Sequence, residues 1–344
     1  MLPHPTRRLL VLLALSATGC ARAEAPLPPI TLPASPRAAA PTPLQVPPEL
    51  LRRSRFEPSG LVWLVELDRY LLVSDDTGHD DRDERAPWLF TMDRHGTVDP
   101  HPLVVQGLQG VDDLESIARG EDGAVYALAS QSVSAKGKRR PERRQFLRLL
   151  VRERELHLDG AMPLFDRLRD APRVLRDALG LGAGDALDHL DIEGLAVDGA
   201  GLLLGLKAPG GAGALIWRLQ DPAAAFTRPA LGPTDLALFA DPRLTVRADA
   251  TLVPAGVADL LVLPDGALLV AVTAAGIDPG RQDGALYRVP RPPDRAEPRL
   301  LHTFPGDKPE GIALSALPGH FVVVFDRGSS PPAWITLPLP PEAP

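Results

Sequence analysis

One short phrase recurs along this chain. It reads Asp113-Leu114-Glu115-Ser116-Ile117-Ala118, then Asp191-Ile192-Glu193-Gly194-Leu195-Ala196, then Lys308-Pro309-Glu310-Gly311-Ile312-Ala313, with a looser copy at Glu57-Pro58-Ser59-Gly60-Leu61-Val62. A turn and a second apolar run follow each copy, so the phrase marks a unit of structure that returns a glutamate to an equivalent place. Repeats of short strands with a period above about 40 residues specify a β-propeller rather than a sandwich.

The strand-length runs support that reading. Leu61 to Leu67 leads to Arg69 to Ser74, and Ser116 to Arg119 leads through Glu121-Asp122-Gly123 to Ala124 to Ala129. Leu195 to Val197 leads to Leu202 to Leu206, Leu260 to Leu263 leads through Pro264-Asp265-Gly266 to Ala267 to Val272, and Ile312 to Leu314 leads to Phe321 to Phe325. Third strands are expected at Trp88 to Met92, Gln145 to Leu150, Leu215 to Leu219, Ala285 to Val289 and Ala333 to Leu337. The fold class is therefore all-β, a five- or six-bladed propeller, with any sixth blade hidden between Glu193 and Asp259. Apolar residues at helical spacing predict a helical insertion near residues 163–187, stopped by Gly180 and Gly182.

The amino terminus reads as an address. Arg7 and Arg8 precede the apolar stretch Leu9 to Leu15, and small residues then end at Cys20, the single cysteine of the chain. This predicts a lipoprotein signal peptide over 1–19, lipidation of Cys20, a Pro/Ala-rich tether over 20–49 and a propeller over 50–344. An ordinary cleaved signal with an incidental cysteine is the alternative. Two or three acyl chains would anchor the protein stably, where one chain gives only reversible binding. The expected location is the bacterial cell envelope, as a monomeric lipoprotein facing the periplasm, with Ala21 after the cysteine matching the pattern for outer-membrane delivery.

In a propeller the first strand of each blade lines the channel and the second runs back, so the start of one and the end of the other share a rim. Glu57 then lies near Asp75 and Asp76, Glu115 near Ser130 and Gln131, Glu193 near Lys207, and Glu310 near Asp326 and Arg327, with Asp259 and Thr273 in the remaining blade. A ring of Glu57, Glu115, Glu193 and Glu310 is an oxygen-rich setting for calcium, or magnesium, and not for soft metals. Facing carboxylates raise one another's pKa unless a cation, or Lys207 and Arg327, neutralises them. Asp75, Asp326 and Arg327 are the candidate ligand-binding groups. Glu193 as base, Lys207 as a stabiliser of negative charge and His189 as acid or base are the candidate catalytic groups for hydrolysis of a small polar or phosphorylated ligand. The competing reading makes the glutamates architectural, each accepting backbone hydrogen bonds from a neighbouring blade, with the following Gly or Ser permitting close approach of backbones.

Other function classes receive less support. The net charge of −7 gives no basic face for nucleic acid. The basic run Lys136 to Arg144 reads as an exposed loop, and the acidic run Asp75 to Glu84 lacks EF-hand spacing. Neither a nucleophile elbow nor a phosphate-binding glycine loop occurs. A platform for an envelope protein or polysaccharide is the non-catalytic alternative.

The run Asp191-Ile192-Glu193-Gly194-Leu195-Ala196, with Leu204-Gly205-Leu206-Lys207-Ala208-Pro209, resembles the signature of a bacterial family known as domain of unknown function thirty-six sixteen. The Asp-x-Glu-Gly phrase is similar to the repeats of esterase-like phytase propellers. Glu57 to Trp63 and Pro264-Asp265-Gly266 resemble pieces of the calcium-dependent gluconolactonase propellers, which hold their metal partly through asparagine; this chain has no asparagine. These resemblances imply the propeller fold.

Overall fold

A computed structural model of the chain describes residues 40–341, apart from 54–55, 75–88, 135, 183–184, 210–213, 250, 275–276, 278–280, 282, 295 and 329. All of them belong to the compact unit Ser35–Pro344. The expected signal peptide, Cys20, Asp75 and the acidic run Asp75 to Glu84 lie outside the described residues.

Five antiparallel sheets stand as blades around a channel. Their inner strands are Pro58–Leu64, Leu114–Arg119, Asp191–Asp198, Gly256–Val262 and Lys308–Leu314, in blades 1 to 5. These strands neighbour one another in ring order, and blade 5 lies against blade 1. Each pairs with a second strand, respectively Arg69–Ser74, Val125–Ala129, Gly201–Ala208, Leu268–Thr273 and His320–Asp326. The turns between them follow from their residues. Gly123 and Gly266 sit at φ +78° and +83°, where a Cβ is strained, and Asp122 and Asp265 each accept from the backbone N–H two residues on. Third strands complete the meander at Leu89–Met92, Gln145–Arg152, Ile216–Leu219, Asp283–Val289 and Ala333–Pro338.

The count is five. In the interval that could have hidden a sixth blade, Leu236–Ala240 is the fourth strand of blade 3, and Thr245–Ala248 with Thr251–Pro254 forms a separate hairpin. The boundary expected at residue 50 is also corrected. Thr42–Pro43 pairs with Ala333 and Trp334 as the outermost strand of blade 5, so the last blade carries a strand from before the first. Such closure covers a sheet edge that would otherwise be open.

The hydrophobic core is partitioned by blade interface. One cluster joins blades 5 and 1 through Leu61, Leu72, Phe90, Val322 and Val324, and four others lie between the remaining neighbours. The insertion between blades 2 and 3 holds two short helices, Leu164–Arg169 and Arg173–Ala178, with Leu164, Leu168 and Leu175 buried in the cluster those blades share. Buried Gln131 accepts from the Phe165 N–H at 2.9 Å and donates to the carbonyl oxygens of Ala129 and Gln145, which docks the insertion on blade 2. The basic run is not simply an exposed loop. Arg139 stacks on Phe165 at 3.7 Å and Arg144 pairs with Asp166, because the insertion supplies apolar and anionic partners absent from the run itself, while Arg143 pairs with Asp113 at the start of the blade 2 inner strand.

Candidate functional site

Every inner strand carries a β-bulge at the same place. The extra residue is Ser59, Glu115, Glu193, Ala258 and Glu310 in blades 1 to 5. A bulge bends the strand and re-aims the side chain it carries, which explains why glutamate recurs there. The structural counterpart of the three glutamates in blade 1 is thus Ser59, and Glu57 stands two positions earlier, its N–H donating to Ser74 Oγ at 3.1 Å. Asp259 occupies the next position, equivalent to Gly60, Ser116, Gly194 and Gly311.

That next position is where inner strands of neighbouring blades approach. A Cβ on Gly60 would lie 2.8 Å from Ser116 Cα and 2.9 Å from Glu115 O, and one on Gly311 would lie 3.0 Å from Gly60 Cα. Asp259 is 2% exposed and ties three blades together: its Oδ1 accepts from Leu195 N at 3.3 Å and its Oδ2 from Ile312 N at 2.7 Å. Burial pushes this carboxyl well above the usual carboxylate range, against the pull of the amide donors. The architectural reading therefore applies to Asp259 and to the glycines.

The glutamates of blades 3 and 5 do something else. Glu193 is 4% exposed and its Oε1 accepts from Lys207 Nζ at 2.5 Å. Glu310, equally buried, pairs with Lys308, whose ammonium also stands 3.8 Å from Asp326 Oδ2 on the facing strand. The two pairs form one electrostatic unit, since Lys308 pulls the Glu193 pKa down while Glu310 helps to hold the Lys207 proton. Burial pulls both lysines down, but the adjacent carboxylates overrule it and both ammonium groups stay charged. Burial likewise raises Glu193 and Glu310, with the lysines opposing. Asp191 completes the mouth: burial raises it to about 6, with Lys207 pulling down and Asp113 pushing up. Asp113 accepts from Ser130 and Arg143 beside it.

Two oxygen atoms of this cluster, Glu193 Oε2 and Asp191 Oδ1, are buried without a hydrogen-bond partner among the described residues, and so is Thr273 Oγ1 at the end of the second strand of blade 4. Buried acceptors without donors are costly, and in a charged cleft they mark a place for a ligand.

The structure brings together Glu193, Lys207, Glu310 and Asp326, and adds Asp191, Lys308, Asp113 and Arg143. His189, two residues before Asp191, is largely exposed, with Nε2 3.0 Å from Asp185 Oδ2. Arg327 pairs with Asp307 at 2.7 Å and not with the channel glutamates. Glu115 is buried at its bulge in blade 2. Among the described residues no three of Asp, Glu, His and Cys converge as a metal site requires. At Glu193 and Glu310 the ammonium groups of Lys207 and Lys308 each engage one carboxylate oxygen and supply positive charge that a calcium ion would otherwise bring.

No family model and no curated protein matches the chain. Solved structures similar to it include a protein provisionally named a gluconolactonase, 14% identical over 83% of this chain and 81% of that one, with a TM-score of 0.38. The calcium-binding protein regucalcin of Agrobacterium tumefaciens is 11% identical over 84% of each chain, at 0.37. The PQQ-bound aldose sugar dehydrogenase of Streptomyces coelicolor is 17% identical over 86% of this chain and 78% of that one, at 0.37. At such low identity and overlap these proteins say nothing about this chain's activity; its five-bladed form rests on the strand pairing above.

Proposed function

We propose that this chain is a binding propeller of the cell envelope whose channel mouth takes a small polar molecule rich in hydroxyl or ammonium donors, a polyol or an amine. The observation that carries the reading is the pair of buried acceptors without donors, Glu193 Oε2 and Asp191 Oδ1, held between the Glu193–Lys207 and Lys308–Glu310 ion pairs. A ligand that donates hydrogen bonds satisfies them, and a buried acceptor gains about 1–3 kcal/mol when it is satisfied. Four carboxyl groups here, Asp191, Glu193, Glu310 and Asp326, face two ammonium groups, so the mouth tends to negative charge and disfavours a phosphorylated ligand. Glu193 and Lys207 neutralise each other and His189 faces Asp185 on the exposed surface, which supports binding rather than hydrolysis.

Thermal-shift measurements on the full chain with monosaccharides, inositol, ethanolamine, putrescine, inorganic phosphate and calcium chloride test this. At least one polyol or amine raises the melting temperature in a saturable way, and Asp191→Asn removes that shift. A saturable shift with phosphate or calcium alone overturns the reading.

A further inference from the structure

The channel has a second mouth of opposite character. Along each inner strand the position after the close-approach residue is a large aliphatic side chain, Leu61, Ile117, Leu195, Leu260 and Ile312 in blades 1 to 5, all buried. Beyond this ring the strands continue through small residues, with buried Ala118, Ala196 and Ala313 in three of the five blades. The result is a cavity of about 440 Å³ walled by one short stretch from every blade, open at the end away from the charged mouth. Its volume lies within the range of small-molecule sites, roughly 300–1,000 Å³. The β-ladders hold the walls, so the space is not one that collapses by side-chain rearrangement.

The rim residues Arg119 and Ser315 are engaged within the protein. Arg119 at its rim makes a double ion-paired contact with Glu66. Ser315 Oγ accepts from Leu317 N at 3.0 Å and lies 3.4 Å from the Tyr70 hydroxyl. None of the buried unpartnered polar atoms belongs to its lining. A site of this kind makes no demand on a ligand for charge or hydrogen bonds. Covering its aliphatic walls with a ligand lowers the free energy by about 25 cal/mol per Å² of apolar surface removed from water.

We infer that this well is a second binding site, independent of the charged mouth, for an uncharged apolar small molecule. The capacity is about three times that of an engineered protein cavity of about 150 Å³ that takes up benzene, so ligands of two or three fused or linked rings, or an alkyl body of similar bulk, are accommodated. Along each inner strand a large aliphatic residue stands between the bulge position and the well, which sets this site apart from Glu193 and Glu310.

The test is fluorescence titration of the full chain with the neutral probe N-phenyl-1-naphthylamine. Ala196→Phe and Ala313→Phe fill the well, and Leu314→Glu places a carboxylate at its rim from a position that is 46% exposed and therefore spares the fold. The wild type binds one probe per chain with quenching of Trp63, which lines the well. Each folded variant binds at least tenfold more weakly. Probe binding that is unsaturable in the wild type, or unchanged in folded Leu314→Glu and in whichever phenylalanine variant folds, overturns the inference.

Discussion

Replacing Asp259 by alanine removes a side chain that hydrogen-bonds the inner strands of two neighbouring blades at once. Its loss leaves Leu195 N and Ile312 N buried without acceptors. Each orphaned buried amide costs about 1–3 kcal/mol, and removal of a carboxyl strained by burial returns part of it, for a net loss of about 2–4 kcal/mol. For a domain of this size roughly 2 °C accompanies each kcal/mol, so differential scanning calorimetry at one fixed scan rate shows a fall of about 4–8 °C. Asp259→Asn falls in between, since an amide oxygen accepts from one donor while its NH₂ opposes the other. Residue-resolved hydrogen exchange separates this mechanism from general loosening: protection falls first at Leu195 and Ile312, in blades 3 and 5, and not within blade 4 alone. An Asp259→Ala protein that melts within 1 °C of the wild type, or above it, refutes the lock.

Other outcomes follow from the same geometry. Asp191, raised to about 6, binds its proton more tightly when folded, so its contribution to stability is full below about pH 4 and is lost as the pH rises through 6. Urea unfolding should show Asp191→Asn more stable than the wild type at pH 7.5 by up to about 3 kcal/mol, at about 1.4 kcal/mol per unit, with the gap closing by pH 4. Gly60→Ala drives a Cβ against the backbone of Ser116 and Glu115 and costs about 1–3 kcal/mol in thermal denaturation. Gly232→Ala, whose nearest neighbour is a side-chain oxygen at 3.5 Å, serves as the control and leaves the melting temperature within 1 °C. Radiolabelled palmitate is incorporated into the protein in cells, and Cys20→Ser abolishes the label; a labelled serine variant contradicts lipidation at that residue.

The inner strands were legible because four of them carry the phrase and the fifth, Gly256–Val262, precedes an unmistakable Pro264-Asp265-Gly266 turn. The bulges were not legible. The shared phrase aligns Ser59 with Glu115, Glu193 and Glu310, but Glu57 was grouped with those glutamates by residue type, and Asp259 stands one position beyond the bulge residue Ala258. Lysine in the first position of the blade 5 copy, where the other copies carry acids, was visible as a sign change, but its partners Glu310 and Asp326 follow only from strand register. Thr42–Pro43 carried no strand signal at all; ring closure, a tertiary demand, makes it a strand. Arg143 was hidden in a charge run whose anionic partner, Asp113, lies thirty residues away in sequence.

Calorimetric titration of calcium chloride into metal-stripped full chain, repeated with Glu193→Gln, tests most directly whether lysines, and not a metal ion, complete the charged mouth. Lys207 and Lys308 already supply the positive charge there, so the two titrations should be indistinguishable, with no stoichiometric heat that depends on Glu193. One calcium ion bound per wild-type chain and lost in a folded Glu193→Gln protein would contradict the account.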